Sequence, residues 1–337
     1  MEIDIEVSSM VGIKDIAKEC NVSATTVSRA LNNSKEISKK TREFILKTCE
    51  EKGYIPNSAA RSLILNKTNM IGLIIPDITN QYYAYVSKGV SSYLEKIGYG
   101  LVLCNSDRNK ENENRYIDFL AQKRVDGIIL IPVKPKASDY KKIIENVPLV
   151  MADNYVSDLE ISYVGNDNYA GAKKIITHMI SQGYRKIGVI LGDETSSASN
   201  ERLRAYKDVL MENNIEVDNE ILLNSNASFE DGFKLAEILI KQNVDAIFAI
   251  NDFVAMGVMK YAHINNILVP KDIGLAGYDD IEQASMLNVP LTTVHQKKYK
   301  LGRIAAKILI DEINNHQVVK QNIILQPELI IRKSCNE

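Results

Sequence analysis

Apolar residues near the start of the chain recur at the spacing of short helices. A first helix is predicted by the i, i+3, i+4, i+7 repeat of Ile13, Ile16, Ala17 and Cys20. Asn21 then tolerates the left-handed conformation that ends a helix, and Ser23 is the expected N-cap of a second helix reaching Leu31. A third helix, 39–52, is capped by Ser38 and stopped by Gly53. Two short helices joined by a tight turn predict a helix-turn-helix.

The second predicted helix has one apolar face and one small polar face. The spacing turns Val22, Val27 and Leu31 inward. It leaves outside a polar set with a single cation: Ala24, Thr25, Ser28, Arg29 and Asn32. Such a face suits a helix that enters the DNA major groove and reads base edges. A solvated helix of an ordinary bundle has the same spacing, so the pattern alone leaves both interpretations open.

From residue 70 onward the pattern becomes an alternation of strands and helices. Apolar, β-rich runs form two series, 70–75, 100–104, 127–131 and 149–152, then 187–191, 221–223, 246–250 and 273–278. Helical stretches between them include 83–97, 170–182, 203–213 and 232–242. Buried strands that alternate with helices predict parallel sheets covered on both faces. The two series predict an α/β fold of two Rossmann-like lobes, with ligands beyond the carboxyl ends of the strands.

Polar clusters follow those strands. They include Asp77, Asn80, Asp107, Asp153, Asn251 and Asp279. Carboxylates and amides at these ends can hold several sugar hydroxyls by paired hydrogen bonds. Taken singly, each residue is more often a loop or helix-capping residue. Their recurrence at strand ends in both series favours a ligand site.

Composition and charge separate the two parts of the chain. Its 337 residues suit two or three domains, and 45% hydrophobic with 25% charged residues is ordinary for a soluble globular protein. The net charge is −2, yet residues 12–70 carry +5, which leaves −7 for the rest. A basic head on an acidic body suits a protein whose head alone meets phosphate, although a solvated surface could also carry +5.

Several other classes are disfavoured. No apolar run approaches the roughly 18 residues that span a bilayer, and the acidic residues 1–9 do not resemble a secretory signal, so we expect a cytoplasmic protein with no membrane partner. The four cysteines form no CxxC pair and are expected to be reduced thiols: Cys20, Cys49, Cys104 and Cys335. The common catalytic and nucleotide-binding motifs are absent and the four histidines lack ligand spacing. The sequence therefore predicts no catalytic residue, no cofactor and no metal site.

A long string in the head carries a family resemblance. It consists of Ile13-Lys-Asp-Ile-Ala-Lys, Val22-Ser-Ala-Thr-Thr-Val-Ser-Arg-Ala-Leu-Asn32, Ser38-Lys-Lys-Thr-Arg42 and Gly53-Tyr-Ile-Pro-Asn57, and it resembles the LacI/GalR family of bacterial repressors. The resemblance implies base-reading roles for Ala24, Thr25 and Arg29, and phosphate contacts for Ser23, Thr26, Ser28 and Asn32. Gly12 stands where the family usually has a capping, phosphate-contacting Thr, and Asn21 replaces its turn Gly. Members begin shortly before the first helix, which makes Met10 a candidate native start.

Residues 56–69 are too short for a stable isolated helix and could be a plain linker. The resemblance implies a hinge helix that orders on operator DNA, with Leu63 as a wedge in the minor groove and Asn57 as a further DNA contact. The rest resembles a periplasmic-binding-protein-like core that crosses between lobes near Gly165, Lys297 and Gln326. The implied domains are a head at 12–55, a hinge at 56–69, one lobe at 70–165 plus 298–325, and another at 166–297 plus 326–332.

The same resemblance assigns effector contacts within the core. They fall on Asp153, Arg202, Asn251 and Asp279, and also on Asp77, Asn80 and Asp107. Arg202 belongs to Glu201-Arg-Leu-Arg-Ala205, in which Ala205 replaces the family's usual Gly.

These observations predict a sequence-specific transcriptional repressor, located on the nucleoid when bound to its operator. Its partners would be a pseudopalindromic double-stranded operator, a second copy of the chain in a homodimer, and a small effector, expected to be a carbohydrate. The chain has no leucine-heptad tail after the core, which favours a dimer over a tetramer. One alternative is a catabolite-control regulator whose corepressor is the phosphorylated protein HPr. Another is a solute receptor, which the attached head and the missing signal peptide disfavour.

Overall fold

A computed structural model of the chain describes residues 11–32, 34–54, 67–156, 158–315 and 319–335. It divides into two compact units, Met1–Thr68 and Asn69–Glu337. We refer to the described part of the first unit as the head and to the second unit as the core.

The head consists of three helices: α1 (Ile13–Glu19), α2 (Ala24–Leu31) and α3 (Lys39–Glu51). The Ser23 Oγ accepts a hydrogen bond from the Thr26 N–H at 3.1 Å, and Ser38 caps α3 in the same way. Asn21 has a φ of 51°, the left-handed conformation that the turn requires. The predicted turn and both caps are therefore confirmed.

The buried side chains of α2 differ in part from the inward face that the sequence predicted. Val27 is fully buried, and Ala30, which the spacing argument did not include, is buried beside it. Ala24, predicted to point outward, is half-buried and packs against this cluster. Gly12 carries no capping side chain, but its N–H donates to the Asp15 carboxylate at 2.8 Å, which satisfies one orphan donor of α1.

The core alternates strands and helices. Its strands are β1 (Met70–Ile75), β2 (Gly100–Asn105), β3 (Gly127–Leu130), β4 (Leu149–Ala152), β5 (Ser162–Asn166), β6 (Ile187–Leu191), β7 (Leu222–Asn224), β8 (Ala246–Ala249), β9 (Gly274–Ala276), β10 (Thr293–His295), β11 (Asn322–Leu325) and β12 (Glu328–Ile330). Its helices are α4 (Gln81–Glu95), α5 (Lys110–Gln122), α6 (Ala137–Ile144), α7 (Asn168–Ser181), α8 (Ser197–Glu212), α9 (Phe229–Lys241), α10 (Asp252–Ile264), α11 (Glu282–Met286) and α12 (Lys298–Asn314), with 3-10 turns at Asn219–Ile221 and Lys333–Cys335.

Ten of these strands form two parallel sheets, which define a first and a second lobe. The first-lobe sheet has the order β11-β5-β4-β3-β1-β2, and the second-lobe sheet has the order β7-β6-β8-β9. Helices α4 and α12 cover one face of the first sheet and α5 and α6 the other, which explains why its central strands are apolar throughout. The second sheet is covered by α7 and α8 on one face and by α9 and α10 on the other. The predicted α/β fold of two parallel lobes is confirmed.

Four strands lie outside the predicted series. These are β5, β10, β11 and β12, and β10 pairs with β12 in a small antiparallel sheet. Each has three to five residues, too few for an alternation pattern to stand out. Because β5 and β11 pair within the first sheet, the chain passes between the lobes after Asn166, after His295 and after Leu325.

Strand order also fixes where the lobes can bind a ligand. In the first sheet the chain runs from β1 to β2 on one side and then returns to β3 on the other. In the second sheet β6 is flanked in the same manner by β7 and β8. Such reversals open a crevice at the carboxyl ends of the strands. Within the described residues no helix is long and apolar enough to cross a membrane.

Candidate functional site

A cleft with about 820 Å³ of empty space, counting its open mouth, lies between the two lobes at these carboxyl ends. Five residues predicted from the sequence line it: Asn80, Asp153, Arg202, Asn251 and Asp279. All five are buried, although each carries a polar or charged side chain. Buried polar groups on a concave surface between lobes are typical of a ligand site.

The two asparagines each cap a helix at the cleft. The Asn80 Oδ1 accepts from the Tyr82 N–H at 2.9 Å, and the Asn251 Oδ1 accepts from the Val254 N–H at 2.8 Å. The oxygen is occupied by the cap in both residues, which fixes the side-chain rotamer. The amide group of Asn80 is thereby held at the cleft wall as a donor for a ligand. Capping and ligand binding are compatible at these positions.

Asp153 and Asp279 contribute one carboxylate from each lobe. Asp153 Oδ1 accepts from the Tyr82 hydroxyl at 2.6 Å, and Asp279 Oδ1 accepts from Gln296 Nε2 at 2.6 Å. Burial raises the pKa of Asp153, and burial raises the pKa of Asp279 to about 7, although Arg202 lowers both. Their φ angles of 65° and 113° are unusual for residues other than glycine, and strain of this kind concentrates at binding sites.

Arg202 supplies the buried cation of this cleft. Its Nε and one terminal nitrogen donate to Asn168 Oδ1 at 2.9 and 2.8 Å, and the other terminal nitrogen donates to the Ile250 carbonyl. The guanidinium also lies 3.6 Å from the centre of the Tyr278 ring. A guanidinium held in this way has two N–H groups left for a ligand or for the nearby carboxylates.

Two predicted residues do not line the cleft. The Asp77 carboxylate closes a turn with Thr79 and lies 3.5 Å from the Arg108 guanidinium. Arg108 itself lines the cleft, so Asp77 acts on the site by orienting that side chain. Asp107 has an exposed side chain and a φ of 56°, which suits a turn residue.

Several lining residues were not predicted from the sequence. Tyr82, Arg108, Lys134 and Gln296 all line the cleft. Gln296 directly follows β10, a strand that was not predicted, and the other three lie outside the polar clusters that follow the predicted strands. Gln296 is 1% exposed, and its Oε1 has no hydrogen-bond partner among the described residues. A buried acceptor without a partner is costly, so a ligand hydroxyl or a water would be bound firmly there. In the sequence, only the position of Gln296 beside a crossing between the lobes could have indicated its place in the cleft.

In the head, the outward side of α2 carries the residues predicted to contact DNA, at positions 23–32, which we call the reading face. Thr25, Arg29 and Asn32 are exposed, whereas Thr26 and Ser28 are half-buried. The Ser23 and Thr26 hydroxyls lie 2.9 Å apart, so both are engaged in the cap. Arg29 pairs with Glu36 at 3.1 Å, with about half of its side chain exposed. Asn57 and Leu63 lie outside the described residues.

Over the ranges that the structure describes, no three His, Cys, Asp or Glu side chains are grouped to hold a metal ion. The four cysteines are buried and unpaired with one another.

Comparison with known proteins places both units. The family "Bacterial regulatory proteins, lacI family" matches residues 12–57, and "Periplasmic binding protein-like domain" matches residues 176–335. The ribose operon repressor of Halalkalibacterium halodurans is 35% identical over 96% of this chain and 97% of its own length. Among solved structures, a lac repressor dimer bound to operator and the anti-inducer ONPF aligns with a TM-score of 0.86 at 25% identity, covering 98% of this chain and all of that one. A CelR–cellobiose complex aligns with a TM-score of 0.73 at 26% identity, covering 96% and 99%.

Proposed function

Since the chain belongs to the LacI family of bacterial regulatory proteins, we propose that it is a repressor whose operator affinity is set by a carbohydrate bound between the core lobes. The observation that carries this proposal is the joint presence of an exposed reading face on α2 and a buried polar cleft at the lobe crossings. It acts in the bacterial cytoplasm, where its DNA lies. The domain division is proposed as 12–55, 56–69, 70–165 plus 298–325, and 166–297 plus 326–332.

For DNA, we assign base contacts to Ala24, Thr25 and Arg29, and backbone contacts to Ser23, Thr26, Ser28, Asn32 and Asn57, with Leu63 as a minor-groove wedge. One helix-turn-helix reads only a few base pairs, so a homodimer on a pseudopalindromic operator is required for useful specificity. The solved lac repressor relative is a dimer on its operator, which supports this arrangement. Arg29 would exchange its Glu36 partner for a base or a phosphate.

For the effector, we assign direct contacts to Asn80, Asp153, Arg202, Asn251 and Asp279. Asp77 contributes through Arg108, and Asp107 lies outside the cleft and is assigned no direct contact. The two carboxylates accept from ligand hydroxyls, while Arg202 and Asn80 donate to ligand oxygens. Relatives named for ribose and cellobiose support a sugar as the ligand. Binding regulates DNA affinity only if the sugar prefers one lobe arrangement over the other.

The test begins with operator selection from a random pseudopalindromic DNA library, followed by fluorescence anisotropy of the selected site. Each sugar of a panel is then added at saturating concentration. We expect one class of sugars to change operator affinity by about 5- to 150-fold, the usual range of allosteric coupling. Selective DNA binding that no sugar alters would contradict the effector half of the proposal, and no selected sequence at all would contradict the DNA half.

A further inference from the structure

A second cavity adjoins the effector cleft on its solvent side. It contains about 1250 Å³ of empty space, counting its open mouth, and is lined by residues of both lobes. Lys134, Asp193 and Asn226 line both cavities, so the two adjoin at these residues. We call the first the inner cleft and the second the outer cleft. A ligand that fills the inner cleft can therefore extend into the outer cleft where the contacts of these residues open.

Weak contacts between the lobes separate the two clefts. Lys134 Nζ lies 3.6 Å from Asp193 Oδ2, and the two side chains are 54% and 33% exposed. Arg108 donates to the Asn226 carbonyl at 3.1 Å. An exposed ion pair contributes little to stability, so a ligand that offers replacement hydrogen bonds can displace it.

The charges of the outer cleft indicate which ligand it accepts. Three cations and three anions line it: Lys110, Lys134 and Lys136 against Asp139, Asp193 and Glu194. Because these charges balance, the cleft does not favour a phosphate or another strongly charged group. No aromatic or aliphatic platform is found among its described lining residues.

The remaining lining groups are neutral amides and hydroxyls. They come from Asn114, Thr195, Asn224, Ser225 and Asn226. The side-chain amides of Asn114 and Asn226 make no hydrogen bond to the described part of the chain. Free amides facing a net-neutral space match a ligand that carries many hydroxyl groups and no charge.

We propose that the effector is a neutral oligosaccharide, with its first sugar unit in the inner cleft and its next unit in the outer cleft. This inference rests on the proposed function, because it extends the carbohydrate assigned to the inner cleft. Asn114 from α5 contacts the outer unit through its free amide, and Asn224 from β7, whose Nδ2 donates to Glu194 Oε1 at 2.6 Å, offers its Oδ1 from the opposite lobe. A ligand that spans both clefts also contacts the two lobes further from the chain crossings than a single sugar does. It therefore stabilises the closed arrangement of the lobes more strongly than a single sugar does.

The experiment is titration calorimetry of the full-length protein with glucose, cellobiose, cellotriose, maltose, ribose, xylose, xylobiose and glucose 6-phosphate. We expect a di- or trisaccharide to bind at least about tenfold more tightly than its own monosaccharide, as two or three extra neutral hydrogen bonds would give. The double variant Asn114→Ala with Asn224→Ala should lose about that factor for the longer ligand and keep monosaccharide affinity within about twofold. Arg115→Ala, an exposed residue of α5 that does not line either cleft, is the matched control.

Several results would overturn the inference. A monosaccharide that binds as tightly as its oligomers, or a double variant that weakens both equally, rejects the outer subsite while leaving the proposed function intact. Stronger binding of glucose 6-phosphate than of every neutral sugar rejects the charge argument. A protein that binds none of these sugars, yet still binds its selected operator, removes both the inference and the carbohydrate half of the proposed function.

Discussion

The head and the core build their candidate surfaces in different ways. The α2 reading face occupies ten consecutive positions, 23–32, and most of its fixing contacts join residues three or four apart. In the inner cleft, Tyr82 bonds Asp153 across 71 positions and Arg202 bonds Asn168 across 34. The difference teaches that a site on one helix depends on local capping and spacing, whereas a site at strand ends depends on the whole sheet order.

The two surfaces also differ in how their charges are held. Arg29 is exposed and has one exposed ion-pair partner, so it can change partners at little cost. Arg202 is 5% exposed and is bound to Asn168, the Ile250 carbonyl and the Tyr278 ring. Removing a buried, bonded charge costs more than removing an exposed one. The following predictions test this contrast, from the largest expected effect to the smallest.

Replacing Arg202 with Ala should weaken binding of the active sugar at least about 100-fold, because two charged hydrogen-bond donors are lost from a buried site. Operator affinity without the sugar should change less than about threefold, because the head is a separate unit. Calorimetry with the sugar and anisotropy with the operator give the two values.

Arg204→Ala is the matched control for Arg202, two residues further along α8. Arg204 is 54% exposed and pairs with Glu201 at the surface, so its loss should alter sugar affinity by less than about threefold. Equal effects of the two substitutions would show that α8 stability, and not the guanidinium in the cleft, accounts for the change.

Replacing Arg29 with Ala should reduce operator affinity about 5- to 150-fold, the range for one good contact to a base. Sugar affinity should stay unchanged, and anisotropy at fixed salt measures the loss. Lys47→Ala, an exposed cation of α3, serves as the control for general charge. If both variants lose affinity equally on specific and random DNA, Arg29 contributes charge alone.

Replacing Leu63 with Ala should weaken operator binding by about tenfold or more, because the apolar wedge that offsets base unstacking is removed. The core should keep its sugar affinity and its melting temperature, since Leu63 belongs to the other unit. A gel shift at fixed salt is the measurement. Unchanged operator affinity would show that the hinge contributes no wedge.

The smallest effect concerns pH. Burial raises the pKa of Asp279 from 3.8 to about 7, so the folded protein binds this proton more tightly than the unfolded chain does. The stabilisation by the protonated carboxyl is complete below about pH 4 and is lost as the pH rises to about 7. Asp279→Asn should therefore flatten the fall of the core melting temperature between pH 5 and 7.5.

Calorimetric melting curves at several pH values test this prediction. Asp118→Asn, an exposed carboxyl of α5, is the control and should leave the pH profile unchanged. A slope that stays the same in Asp279→Asn would mean that another buried carboxyl, such as Asp153, dominates the pH dependence.

The sequence alone determined the head almost completely. Caps at Ser23 and Ser38 and the left-handed Asn21 are local features, and the structure has each of them. It also determined the α/β class of the core, because apolar strands alternating with helices have few other ways to bury their faces. The burial of Ala30 and the partial burial of Ala24 were missed, since they depend on how α1 and α3 pack against α2.

Only the tertiary structure decided which polar residues share the cleft. Asn80, Asp153, Arg202, Asn251 and Asp279 converge because the two sheets reverse their strand order at adjoining edges. Asp77 and Asp107 follow strands in the same sequence pattern, yet their backbone turns carry them outside. The outer cleft had no sequence signal, and Gln296 had only its position beside the crossing predicted near Lys297, because a gap between lobes depends on strand pairing across more than 100 residues. The local sequence pattern predicts capping and periodicity. Only the pairing of strands that lie far apart in the sequence brings distant polar groups to one surface.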